Sequence, residues 1–150
     1  MKNIELLSKI CSIAGAPGHE KKIRDFIIGE IKKEGLSYEL DNLGNLIVKV
    51  KGKKEKSIMV AAHMDEIGFI VKHIDEKGFV FFHPLGGFDP KTLTSQRVVI
   101  HGKQDILGVM GSKPIHIMSA EDRKKTPKIE DYFIDASQLV KKALRSLAKG

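Results

Sequence analysis

His63 and Asp65 stand two residues apart in Ala61-Ala62-His63-Met64-Asp65-Glu66-Ile67-Gly68, and they are the pair in this chain best suited to chemistry. They follow Ser57-Ile58-Met59-Val60-Ala61-Ala62, a continuous apolar run that predicts a strand buried on both faces. Side chains two apart at a strand end project to the same side. The carboxyl ends of strands are where open α/β sheets place their sites. A metal-ligating imidazole usually gives its second N–H to a carboxylate, which fixes the tautomer and makes the ring a better donor. His63 as ligand and Asp65 as its support fit that chemistry. The same spacing also suits a partly buried histidine hydrogen-bonded to a nearby acid with no ligand at all, and local sequence leaves both readings open.

Other chemistry-bearing residues are more isolated. His19 follows a Gly-Pro turn and is a candidate cap for the helix after it; His73 and His83 fall in β-like runs, His101 ends one, and His116 lies in Gly111-Ser112-Lys113-Pro114-Ile115-His116. Each reads as a structural histidine. No serine sits on a strand-to-helix elbow, and no glycine-rich phosphate loop precedes a helix. Cys11 is the sole cysteine, which excludes an intrachain disulfide or a Cys-based zinc site. It falls on the apolar face of a predicted helix, as a core residue.

The elements that must position His63 are legible as two textures. Residues 1–66 read as part of an α/β layer. Ile4, Leu7, Ile10, Cys11 and Ala14 recur at helical spacing up to Gly15-Ala16-Pro17-Gly18. Ile23, Phe26, Ile27, Glu30 and Ile31 mark a second helix that stops at Gly35. Residues 37–41 and 46–50 predict two strands around the turn Asp41-Asn42-Leu43-Gly44-Asn45. Residues 67–150 change character. Short β-like runs at 67–74, 79–83, 97–101, 106–110 and 131–135 are separated by Gly, Pro and Asp, which predicts a small β-barrel. Residues 119–128 read as an exposed loop. Leu139, Val140, Ala143, Leu144 and Leu147 then share one face of a terminal helix with Ser137 at its start.

The chain has 150 residues, with Lys+Arg 26 against Asp+Glu 19 and a net charge of +7. Lysine dominates the cations, aromatic residues are 6% and tryptophan is absent. Nucleic-acid sites favour arginine forks and stacking platforms, so this basicity argues for no nucleic-acid partner. The run Lys49-Val50-Lys51-Gly52-Lys53-Lys54-Glu55-Lys56 reads as a solvated connection. No apolar stretch approaches the ~20 residues of a membrane span, so no membrane partner is expected. Charges break the first residues too early for a secretory signal, and a cytoplasmic location is the expectation.

Taken in order, Ala16-Pro17-Gly18-His19-Glu20, Asp41-Asn42-Leu43-Gly44-Asn45, Ala62-His63-Met64-Asp65-Glu66-Ile67-Gly68, Gly86-Gly87-Phe88 and Gly111-Ser112-Lys113-Pro114-Ile115-His116 resemble the tetrahedral or glutamyl aminopeptidase family of cocatalytic metallopeptidases. Some members of that family carry endoglucanase or cellulase labels. The resemblance implies a partial α/β/α metallopeptidase core over residues 1–66. A small, incomplete PDZ-like β-barrel used for dimerisation and a C-terminal helix would follow over 67–150. It places His63 on the family's first metal ligand and Asp65 on the acid that orients it. Two zinc or cobalt ions and a peptide substrate are the implied cofactors and partner, with homo-oligomerisation through the barrel. The family's remaining ligands and general-base Glu are implied to lie downstream of the barrel. The expectation is therefore the N-terminal portion of a metal-dependent aminopeptidase, inactive alone. The alternative is a non-catalytic self-association module derived from that family.

Overall fold

The computed structural model describes residues 2–87, 89–113, 115–121 and 124–136, in two units, one ending at Gly68 and the other starting at Phe69.

In the first unit, α1 (Lys2–Ser12) forms where the apolar spacing predicts it. Its apolar stripe is not covered, however: Ile4, Leu7 and Cys11 are all exposed. Cys11 is therefore not a core residue, because helical spacing defines a stripe but not what packs on it. The turn into α2 (Lys21–Lys33) is closed by the His19 N–H donating to the Ala16 carbonyl at 2.8 Å. His19 does not cap this helix. Glu20 takes the N-cap position, with its carboxylate accepting from the Gly18 N–H at 2.6 Å. Ile23 and Ile28 are the buried residues of α2. The helix ends as a Schellman motif: the Gly35 N–H donates to the Lys32 carbonyl and the Leu36 N–H to the Ile31 carbonyl.

A short antiparallel hairpin follows, β1 (Glu39–Leu40) with β2 (Leu46–Ile47), Glu39 opposite Ile47 and Leu40 opposite Leu46. Its strands are shorter than the predicted 37–41 and 46–50. Asp41 organises the turn. Its Oδ1 accepts from the Leu43 and Asn45 N–H groups at 2.9 and 2.8 Å, and its Oδ2 from the Asn45 amide at 2.7 Å. Gly44 has φ +86, which an L side chain rarely adopts.

Residues 57–62, predicted as a buried strand, are neither strand nor buried. Ile58, Met59 and Val60 are 92%, 88% and 92% exposed. Burial on both faces and pairing on both edges need neighbours, and the described residues supply no strand beside this run.

The second unit is one sheet in the order β3-β4-β7-β6-β5, comprising β3 (Gly68–Ile74), β4 (Phe79–Leu85), β5 (Arg97–Ile100), β6 (Ile106–Ser112) and β7 (Tyr132–Asp135). The pairs β4–β7, β7–β6 and β6–β5 are antiparallel, with Val80 opposite Ile134, Met110 opposite Ile134 and Val99 opposite Leu107. Asp75 closes the β3–β4 connection, its Oδ1 accepting from the Lys77 and Phe79 N–H groups. Val80, Phe82, Leu93, Met110, Tyr132 and Ile134 form the core, with Phe69, Val98, Ile100 and Ile129 packed against it. The Tyr132 hydroxyl lies 3.1 Å from Thr94 Oγ1, which satisfies a polar group at the edge of that core. All five predicted strands are present within a few residues of their expected bounds. Among the described residues they form an open sheet with β3 and β5 at its edges, not a closed barrel. The predicted terminal helix lies outside the described residues.

Candidate functional site

Between residues 62 and 68 the chain passes from the exposed apolar run into β3, and here the two candidate residues meet. His63 Nδ1 lies 3.1 Å from Asp65 Oδ1 and 3.1 Å from the Asp65 carbonyl oxygen. Both partners are acceptors, so the neutral ring carries its proton on Nδ1 and keeps the Nε2 lone pair unshared. That is the tautomer a metal-ligating imidazole needs. The His63 side chain is 83% exposed and that of Asp65 37%. The reading of a partly buried histidine does not hold, because the ring is open to solvent.

Glu66, the next acid, faces elsewhere. Its backbone N–H donates to the Gly15 carbonyl at 2.9 Å and its Oε1 accepts from the Gly15 N–H at 3.2 Å. Gly15 itself sits against Ile23, where a Cβ would come within 2.8 Å of Cγ2. This anchor ties the His63 segment to the loop before α2. Local sequence holds no signal for a partner 51 positions away.

A groove of about 720 Å³ adjoins the pair. Residues 46–50 and 57–65 line it, with Glu20, Arg24 and Asp41 contributing. Arg24 reaches the Gly44 carbonyl at 3.4 Å, fixing the hairpin to α2.

The remaining histidines are placed as structural residues or left at the surface. His73 stacks on Phe81 with centroids 4.4 Å apart and rings nearly parallel. His101 Nδ1 lies 2.9 Å from Asp105 Oδ1. His116 is exposed in a single 3₁₀ turn. Among the described residues no three His, Cys, Asp or Glu groups converge as a metal cluster. The donor set therefore fits one ligand position with its supporting carboxylate, and does not fit a complete metal centre. No helix among the described residues is long and apolar enough to cross a membrane.

Comparison with known proteins falls on this same architecture. The family model described as M42 glutamyl aminopeptidase matches residues 44–148. The lysyl aminopeptidase of Pyrococcus furiosus is 40% identical over 119 residues, covering 78% of this chain and 34% of that protein. A TET aminopeptidase from a marine sediment archaeon, Thaumarchaeota archaeon SCGC AB-539-E09, superposes with a TM-score of 0.79 at 32% identity, covering 90% of this chain and 38% of that one. The Pyrococcus horikoshii TET1 peptidase, described as assembling into a tetrahedron or a large octahedral shell, gives a TM-score of 0.71 at 40% identity, covering 89% of this chain and 40% of that one. The chain thus spans between about a third and two-fifths of the length of these relatives.

Proposed function

We propose that this chain, which belongs to the M42 glutamyl aminopeptidase family, supplies the first metal ligand of a cytoplasmic, metal-dependent aminopeptidase that releases N-terminal residues from peptides. The observation that supports this reading is the Nδ1 bond of His63 to Asp65, which leaves Nε2 free to ligate. His63 would hold the metal and Asp65 would orient the ring as a positioning residue. Bound zinc or cobalt supplies Lewis acidity and an activated water in such sites. The residues here account for one imidazole of that centre, so no hydrolytic step follows from them and the chain alone is proposed to be inactive. Homo-oligomerisation through residues 67–150 belongs to the same proposal, in keeping with the assemblies of the Pyrococcus horikoshii relative.

A second reading, a non-catalytic self-association module, is favoured by Val99, Leu107 and Val109. These exposed apolar residues lie on adjacent strands of the second unit.

Cobalt titration followed by imidazole NMR tests the first reading. Paramagnetic broadening centred on the His63 ring, and lost in His63→Ala, is the expected result. Broadening centred on His101 instead would overturn it. A companion assay of the purified chain against aminoacyl p-nitroanilides with zinc or cobalt should show no turnover. Turnover that persists through repurification and disappears in His63→Ala would show a complete site formed within or between chains.

A further inference from the structure

His63 and Asp65 are closed on each other. Both acceptors facing the His63 Nδ1, a carboxylate oxygen and a carbonyl oxygen, belong to Asp65. The pair therefore takes its place in the molecule from the backbone that follows it. The Asp65 carbonyl and the Glu66 N–H are the two ends of one planar peptide unit. One end faces His63 Nδ1 at 3.1 Å. The other donates to the Gly15 carbonyl at 2.9 Å. A second bond, from the Gly15 N–H to Glu66 Oε1, engages the remaining polar group of the Gly15 backbone. Two close approaches confine the same stretch. A Cβ on Gly68 would lie 2.4 Å from the Ala16 Cβ, and one on Gly15 would lie 3.6 Å from the Met64 carbonyl oxygen. Gly15 is in turn seated on Ile23, which is 2% exposed. A short path of contacts thus runs from the buried face of α2 through Gly15 and Glu66 to the ring.

We propose that Glu66 is a positioning residue for His63. Its side chain, bonded to Gly15, keeps the Asp65–Glu66 peptide plane from turning, and so keeps the Asp65 carbonyl aimed at Nδ1. That carbonyl and the Asp65 carboxylate together hold the proton on Nδ1 and leave Nε2 open to a metal. A ligand pair is only as well placed as the backbone that presents it. The proposal rests on the reading of His63 as a ligand for its purpose, whereas the path from Glu66 to the ring tautomer does not.

The test compares the full chain with Glu66→Ala and Glu66→Gln. Ile28→Val, which thins the buried face of α2 without touching the pair, is the control for lost stability. Nitrogen-15 shifts of the metal-free His63 ring read the tautomer. The parent should be mostly Nδ1–H, Glu66→Ala a mixture, and Glu66→Gln, which keeps an acceptor for the Gly15 N–H, should recover the parental form. The cobalt concentration that half-broadens the ring should rise about 10-fold in Glu66→Ala, the lower end for groups that support a ligand. It should stay near the parental value in Glu66→Gln and Ile28→Val. Three results would overturn the proposal: a parental tautomer in Glu66→Ala, equal effects of Glu66→Ala and Glu66→Gln, or the same effects in Ile28→Val. If cobalt leaves the His63 ring unbroadened in the parent, the ligand reading fails, and the tautomer populations alone decide whether Glu66 positions the ring.

Discussion

Glu66 holds Gly15 at two points, donating its backbone N–H to the Gly15 carbonyl at 2.9 Å and accepting the Gly15 N–H on Oε1 at 3.2 Å. One of these bonds is backbone and survives mutation; the other is not. Glu66→Ala should therefore cost ~1 kcal/mol, the usual net worth of one hydrogen bond. Glu66→Gln keeps an acceptor and should cost less. Urea unfolding followed through the first unit measures both, and equal losses for the two variants would show that the side-chain bond contributes nothing.

Packing in the second unit leaves little room for change. Met110 on β6 is 1% exposed within the core, so Met110→Ala should cost about 2–5 kcal/mol through lost burial and a cavity. Gly108→Ala errs in the opposite direction. Its new Cβ would lie 2.3 Å from Cγ2 of Ile134, a core residue. Overpacking of this kind costs about 1–3 kcal/mol. Thermal melts of both variants should fall below the parent, and a Gly108→Ala melt at parental temperature would mean that Ile134 has room to move.

The second unit was legible because its code is local. Short apolar runs at 79–83 and 106–110, each preceded by a turn, Asp75-Glu76-Lys77-Gly78 and Gly102-Lys103-Gln104-Asp105, state strand and turn within a few positions of each other. What those signals lack is the closure of the sheet, since edge pairing is a long-range property and β3 and β5 remain edges. The first unit was legible in its helices and hairpin turn, and misleading wherever burial depends on a neighbour. Residues 57–62 and Cys11 look like core because they are apolar in a regular pattern, yet pattern records a tendency to be covered and not the cover itself. The His63–Asp65 bond could be expected from their spacing, although that expectation assumed a strand end, and the bond forms in irregular backbone. His19 was misplaced by one residue, because Glu20 takes the N-cap position and its longer side chain reaches the Gly18 N–H.

Asp41 makes the hairpin sensitive to acid. Its carboxyl is held below the usual carboxylate range, first by the side-chain bond from Asn45 and then by the Asn45 backbone N–H, with smaller contributions from the Leu43 and Gly44 N–H groups. A carboxyl whose folded pKa is depressed stabilises the fold fully above its unfolded value, about 3.9. That contribution is lost as pH falls from there through the lower folded value. The stability difference between parent and Asp41→Asn should be constant near neutrality and shrink below the carboxylate range. Melts between about pH 6 and about pH 2 check this, and a difference that widens on acidification would reverse the sign of the argument.

Asp65 should set how well His63 binds a metal. The Nδ1–H of His63 is shared between the Asp65 carboxylate and the Asp65 carbonyl, each at 3.1 Å. The carboxylate raises the electron density of the ring, and the carbonyl alone can still hold the tautomer. Asp65→Asn therefore preserves geometry while removing the charge, and metal affinity should fall by about 10–100-fold, as for other groups that support a ligand. In the isolated chain the parent affinity should already be weak, because a lone imidazole falls short of the three or four protein ligands of a zinc site. Calorimetry with zinc on the parent, Asp65→Asn and His63→Ala should rank them in that order, with His63→Ala at background. Tight binding by His63→Ala would mean that zinc is held elsewhere, with His101 and Asp105 the next pair to change.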